Sequence, residues 1–389
     1  MERRKNHGLL IRGGRILGKN SPDVRRSLLI KDRIIQEIVK DPEEIRGDFR
    51  VITLPDCIIT PGLTEFHIHG CFNDSFHDLQ ENTLMNVMDN LAARGIIRFL
   101  PTVIGDETMI RQAAEALRRL NRPDRVPGLY VEGPFVNRKK RGGILPGTIR
   151  PYTDNSLEQI INGGDGFIKI LTAAPECFPK KGERLLEKNG IIFAAGHSLA
   201  SWEQLKDRNF SVITHLFNGM SGVSHKKPGL AQWGLLKDEV FIELNGDGHH
   251  LHPAAVSLVL KTKNPEKTIL ISDAVPPAGA PGMTGVFNGT PTSIHNEGVY
   301  NREGILVGSR LLINDIIGKM IHEFGIPAHR AAAMASTVPN RFLGIPGSGE
   351  IAVGKDADIA VFSADFGRCY LTLYKGGIIH GPVEPGNSS

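Results

Sequence analysis

Two histidines one residue apart, His67-Ile68-His69, follow the apolar run Ile59–Phe66. On an extended chain, side chains two apart point the same way, so the two imidazoles share a face. More residues that can bind metal stand at the ends of later apolar runs: Glu132 before Gly133-Pro134, His197 after Ala195-Gly196, His215 after Thr214, and Asp273 between Ser272 and Ala274. Four imidazoles and two carboxylates form a donor set suited to Zn²⁺ or a similar divalent ion. A lone histidine at a strand end is more often a satisfied polar residue, and that reading suffices for His77, His225, His295, His322, His329 and His380. Six ligand types on five strand ends are hard to reach by accident.

Such a site could do hydrolytic chemistry, because a bound cation lets water ionise near neutral pH. Asp273, on the last run, is the expected acid/base: it can take a proton from the attacking water and deliver it to a leaving nitrogen. It could equally be a further metal ligand, and the two roles can overlap. Asn218-Gly219-Met220 and Asp247-Gly248-His249-His250-Leu251-His252 look like substrate contacts, since glycine lets backbone approach a ligand closely. A tight turn explains each glycine equally well on its own.

Ligands scattered from position 67 to position 273 need elements that all end in one place. Apolar strand candidates lie at Ile59–Phe66, Ile97–Val103, Val126–Glu132, Gly166–Thr172, Gly190–Ala195, Ser211–His215, Phe241–Leu244 and Thr268–Asp273. Helix-like segments at Asn82–Arg94, Glu107–Leu120, Ala200–Arg208 and Pro253–Thr262 separate some of them. In Glu107–Leu120, residues Ile110, Ala113, Ala114, Leu117 and Leu120 fall on one helical face. The alternation predicts an α/β fold, a (β/α)8 TIM-like barrel over residues 59–344, with its site at the carboxyl ends of the strands. Leu9–Arg12, Ser27–Lys31 and Arg33–Ile38 near one terminus match Asp358–Phe362 and Tyr370–Tyr374 near the other in strand character. They predict a small β-sandwich domain built from both termini, residues 1–58 and 345–389.

The 389-residue chain is 40% apolar and 23% charged, an ordinary globular composition. Its net charge of +4 is small, and the clusters Arg138-Lys139-Lys140-Arg141 and Lys226-Lys227 fit an anionic small molecule better than nucleic acid. Cys57, Cys71, Cys177 and Cys369 form no CxxC pair, which predicts reduced thiols in a cytoplasmic protein. No signal peptide is evident, and no apolar run approaches the roughly 20 residues of a membrane span.

Pro61-Gly62-Leu63-Thr64-Glu65-Phe66-His67-Ile68-His69-Gly70 resembles the first-strand signature of the amidohydrolase superfamily, and Gly354-Lys355-Asp356-Ala357-Asp358-Ile359 resembles its return into the small domain. Val131–Phe135, Ala195–Ser198, Thr214–Met220, Asp247–His250 and Ser272–Ala274 with Pro277-Ala278-Gly279 are similar to the N-acetylglucosamine-6-phosphate deacetylases, in order over nearly the whole chain. The resemblance implies that Glu132, His197 and His215 hold the main metal, and that His67 and His69 supply a second position or water-mediated contacts. One or two divalent ions follow, zinc first, with iron or another ion as alternatives. It further implies Asp273 as acid/base, and His250 as a catalytic group steadying the developing oxyanion. Asn218, Gly219, Asp247 and His250 would contact substrate, Gly143 would add backbone contacts, and Leu306-Val307-Gly308 would close over it. Family members are homodimers in which a basic residue, here Lys226, reaches the partner's substrate phosphate.

Two departures stand out. The family usually has Arg where Lys226 stands, so a point charge replaces a bidentate fork. After Lys139-Lys140 the usual Gly, small residue, His, Asn, Pro becomes Gly142-Gly143-Ile144-Leu145-Pro146. That change also fits a deacetylase of another N-acetyl amino sugar, such as N-acetylgalactosamine-6-phosphate. A cyclic-amide hydrolase of the dihydroorotase or hydantoinase kind would need Lys169 as a metal bridge, whereas Leu171–Glu176 continues in the deacetylase manner. A non-catalytic barrel protein would have lost ligands, and here the set is complete.

Overall fold

The computed structural model describes residues 8–18, 21–40, 45 and 47–382. Its largest sheet has eight strands whose order in space follows the chain: Leu63–Ile68, Ile96–Ile104, Leu129–Glu132, Ile168–Ala173, Ile192–Ala195, Val212–Ile213, Phe241–Asn245 and Thr268–Ile271. From the second strand to the eighth, every neighbouring pair is parallel. Residues just beyond the eighth strand close the circle. Asp273 N–H donates to the His67 carbonyl at 3.0 Å, His69 N–H to that of Ala274 at 2.7 Å, and Ile68 bridges Ala274 in parallel. This is the expected (β/α)8 barrel. Its strands are apolar nearly throughout, as burial on both faces requires.

Helices Glu107–Leu120 and Pro253–Thr262 have the predicted bounds. The first is fixed locally. Asp106 caps it by accepting from Thr108 and Met109 N–H at 2.9 and 3.2 Å, and its apolar face is buried. Several expected elements shrink. Ser211–His215 keeps strand form only at Val212–Ile213, and Ala200–Arg208 is helical only at Trp202–Leu205. The strand stops early because the chain turns to φ 29° at His215. Among the elements that were not foreseen, one bears on the site. After the eighth strand the chain builds a four-stranded antiparallel sheet, Thr284–Phe287, Thr290–His295, Gly298–Asn301 and Leu306–Ser309.

The chain divides into two compact units. One comprises Glu65–Val87 and Phe99–Leu312; the other takes Met1–Thr64, Met88–Arg98 and Ile313–Ser389. In the second unit a four-stranded sheet (Ile34–Val39, Ser27–Lys31, Gly8–Arg12, Phe49–Thr53) and a six-stranded sheet share one apolar core. The six strands run Gly377–His380, Cys369–Tyr374, Ile359–Phe362, Ile58–Pro61, Arg15–Gly18, Ser21–Arg25. Leu9, Ile11, Leu28 and Ile35 of the smaller sheet meet Ile16, Ile59, Val361 and Leu371 of the larger, each side chain's burial stabilising by roughly 1.5–3 kcal/mol. This is the expected β-sandwich from both termini. Helices Ile313–His322, Ala328–Met334 and Thr337–Phe342, which sequence reading gave to the barrel, belong to this unit by contact. Ala328–Met334 packs on the strands Arg15–Gly18 and Ile58–Pro61, and Asn340 Oδ1 accepts from Thr64 at 2.8 Å.

Candidate active site

The strand ends bring the six expected ligands together, all buried, in two groups whose ligating atoms lie within 4.8 Å of one another. In the first, Glu132 Oε1 stands 2.8 Å from His197 Nε2 and 3.0 Å from His215 Nε2, and the two nitrogens are 3.1 Å apart. In the second, His67 Nε2 and His69 Nε2 are 3.4 Å apart, with Asp273 Oδ1 3.7 and 3.5 Å from them. His69 Nε2 is also 3.5 Å from Glu132 Oε2, so the groups share an edge. Backbone strain aims three of these side chains: His197, His215 and Asp273 have φ of 48°, 29° and 51°, values uncommon for residues other than glycine.

The donor set fits a divalent cation. Buried imidazole nitrogens this close cannot all carry protons, and facing lone pairs repel unless a cation lies between them. The outer nitrogens set the tautomers. His67 Nδ1 donates to Glu243 at 3.0 Å and His197 Nδ1 to the Lys140 carbonyl at 2.8 Å, which leaves each Nε2 as the inward lone pair. Glu243 is fully buried and also accepts from Tyr130 Oη at 2.7 Å and from His215 N–H at 3.0 Å. Beneath it, Tyr130, Thr172 and Thr214 hydroxyls bond to one another at 2.8 to 3.2 Å.

The protein's own groups strongly bias charge in the site. Burial alone would lower His67, but Glu243, Asp273 and Glu132 hold it up at about 9. Burial would raise Glu132, yet His197 and the imidazole hydrogen bonds keep it well below the usual carboxylate range. Asp273 is likewise held down, against burial, by its hydrogen bond from His250 and by the charges of His67, His250 and His69. A cation would therefore compete with protons for these ligands.

A cleft opens over the two groups. Gly143, Asn218, Gly219, His250, Leu306 and Val307, all expected at the substrate, line it. Gly219 has φ 54°, and a Cβ there would meet the Lys140 carbonyl at 2.7 Å and His197 Nδ1 at 2.9 Å, so only glycine lets this loop pass behind the ligand. Asn218 Nδ2 is buried without a partner in the cleft wall. His250 Nε2 lies 3.3 Å from Asp273, and its Nδ1 2.7 Å from Asp247. Burial would lower His250, but the Asp247 carboxylate above all holds it at about 10.

Three expected substrate residues are outside the cleft wall. Asp247 is fully buried and its carboxylate is consumed by His249 N–H, His250 N–H and the His250 ring, so it orients His250 rather than facing the cleft. Gly308 packs against Val275 and the Asp273 carbonyl, behind the lining. Lys226 is exposed and does not line this cleft. Ile144 of the altered loop lines the cleft too, and Ile104, Phe287 and Asn288, which sequence reading did not single out, complete the wall. Asn288-Gly289 is a hairpin-turn dipeptide that could have announced its sheet. Glu243, a carboxylate inside an apolar strand, was a second available signal. His77, taken as a satisfied polar residue, is buried beside His69 and Phe287 and bonds Asn288. Burial first, then His69, pushes it down to about 3. Lys169, the bridging lysine of the rival reading, sits at the amino end of the fourth strand, opposite the cleft.

The amidohydrolase family profile matches residues 286–379. An N-acetylglucosamine-6-phosphate deacetylase of Bacillus subtilis is 30% identical over 385 residues, covering 90% of this chain and 97% of its own. An N-acetylgalactosamine-6-phosphate deacetylase of Escherichia coli O157:H7 is 29% identical, covering 79% and 84%. The crystal structure of N-acetylglucosamine-6-phosphate deacetylase from Pasteurella multocida superposes with a TM-score of 0.88 at 24% identity, over 95% of this chain and 98% of that one. The ligand-bearing barrel and its terminal sandwich are thus those of amidohydrolases, and the chain belongs to their N-acetylglucosamine-6-phosphate deacetylase family.

Proposed function

We propose that the protein hydrolyses the acetamide of an N-acetylated amino sugar phosphate, first N-acetylglucosamine-6-phosphate, giving the free amine and acetate. The observation that carries this reading is the contact between Asp273 and His250 at the edge of a complete, buried donor set. Glu132, His197 and His215 would hold one ion, zinc by the nitrogen-rich character of the set, and His67 and His69 with Asp273 a second. Such an ion supplies Lewis acidity, polarising an amide carbonyl and making water nucleophilic at neutral pH.

The chain's own residues do the rest. Asp273, a carboxylate because of its neighbours, accepts the proton of the attacking water and returns it to the nitrogen as the C–N bond breaks. His250, fixed by Asp247, carries a proton on Nε2 toward the same spot and can steady negative charge on the carbonyl oxygen. Asn218 Nδ2 offers the cleft an unspent donor, and Gly143 and Gly219 bring backbone close to the sugar. Lys226 would meet the substrate phosphate of a second copy in a homodimer, which its exposure in this chain permits. The four free cysteines fit a reducing cytoplasm. Among the described residues no helix is long and apolar enough to cross a membrane.

The second reading, N-acetylgalactosamine-6-phosphate, draws support from Ile144, an apolar residue in the cleft wall where the family usually carries a polar one. Acetate release from the two sugar phosphates and their unphosphorylated forms decides between them. Preference for the glucosamine compound supports the first reading; preference for its epimer supports the second; no release from any sinks both.

A further inference from the structure

The two inner imidazoles of the first strand are braced unequally. His67 Nδ1 has Glu243, whereas His69 Nδ1 is buried without a partner. If His69 presents Nε2 to a cation, its Nδ1 carries a hydrogen and is an unspent donor. Beside it stands His77, 8% exposed, with ring centroids 5.6 Å apart in an edge-to-face arrangement. His77 donates its Nδ1–H to Asn288 Oδ1, so its Nε2 is an unspent acceptor, also buried without a partner. An orphan donor and an orphan acceptor thus sit on adjacent rings. Phe287, at 5.6 Å from His69 and 5.0 Å from His77, walls the pair off. The His77 backbone is pinned as well, its N–H donating to Ser75 Oγ at 3.2 Å.

We infer that His77 is a positioning residue that accepts the Nδ1 hydrogen of His69 and passes the brace to Asn288 at the tip of the antiparallel sheet. This rests on the reading of His69 as a metal ligand. The relay His69–His77–Asn288 does for His69 what Glu243 does for His67, with a neutral acceptor in place of a carboxylate. It also ties the hairpin that lines the cleft to the ligand shell, so seating the hairpin and orienting His69 are one event. Asn288 is suited to the turn that this requires, at φ 53° and followed by Gly289 at φ 68°.

The test uses the full chain freed of metal and titrated with Co²⁺, whose visible absorption reports coordination and whose bound equivalents are counted by dialysis. His69→Ala identifies the class of Co²⁺ binding that depends on His69. His77→Phe keeps a ring against Phe287 but removes the acceptor, and it should weaken that class by about 10- to 100-fold and shift its spectrum. His77→Gln, which offers a carbonyl, should recover part of the loss. The class held by Glu132, His197 and His215 should not change in either variant. If His77→Phe fails to fold, Asn288→Ala, at the half-exposed hairpin tip, should show the same loss in weaker form. A His77→Phe protein, or failing that an Asn288→Ala protein, that binds Co²⁺ as wild type does overturns the relay while leaving the ligand reading standing. Unchanged Co²⁺ binding in His69→Ala overturns the ligand reading, and the relay with it.

Discussion

The two sides of the cleft floor are built differently. Glu132, His197 and His215 close on one another at 2.8 to 3.1 Å; a backbone carbonyl holds the His197 ring and the His215 backbone is tied to Glu243, while the His215 Nδ1 is buried without a partner. His67, His69 and Asp273 keep 3.4 to 3.7 Å between facing atoms. Their carboxylate is shared with His250, and one of their histidines leans on another side chain. On the proposed mechanism the tight side is a permanent holder, whereas the loose side combines holding with proton transfer. Asp273 is asked for both tasks, and its looser surroundings leave room for a proton to come and go.

The largest effect should come from breaking the tight side. Glu132→Gln removes the one charge shared by two imidazoles, so the metal of that group should be lost by elemental analysis and turnover should fall to background in the acetate assay. Asp273→Asn strikes the loose side: turnover should drop by about 10²–10⁴-fold while the metal bound by the tight group stays near the wild-type amount. Loss of that metal as well would erase the distinction between the sides. Lys226→Ala touches neither, and should raise KM for a phosphorylated substrate by roughly tenfold, the worth of one charge-assisted contact, with kcat little altered and unphosphorylated substrates unaffected. Leu371→Ala, in the other unit's core, should cost about 2–5 kcal/mol of unfolding free energy by denaturant titration and leave metal affinity and KM as they were. A change in metal binding there would show that the site draws on packing far outside the strand ends.

Much of the tight side was legible because its residues end apolar runs: Glu132 after Leu129–Val131 and His197 after Ile192–Ala195 need only the barrel rule to be brought together. Their braces were not legible. Glu243 meets His67 across 176 positions, and Asn288 meets His77 across 211; no local pattern encodes such pairings. The antiparallel sheet was missed for a related reason. Thr284–Phe287 buries only Phe287, and Thr290–His295 carries Pro291, so neither shows the apolar alternation by which a strand is recognised. Asp247 misled because its neighbour His250 does face the cleft. In a turn, a side chain folded back onto its own backbone reads the same in sequence as one extended outward.

The left-handed backbone at His197, His215 and Asp273 has a consequence for anyone breeding this enzyme for heat resistance. Each of these residues holds a conformation that costs a side-chain-bearing residue on the order of 1 kcal/mol or more, and glycine adopts it freely. Selection on melting temperature alone, in metal-poor medium, would be drawn to glycine at these positions and would collect sturdy barrels that cannot work. Only selection that keeps substrate turnover in the loop would preserve the strained corners on which the chemistry stands.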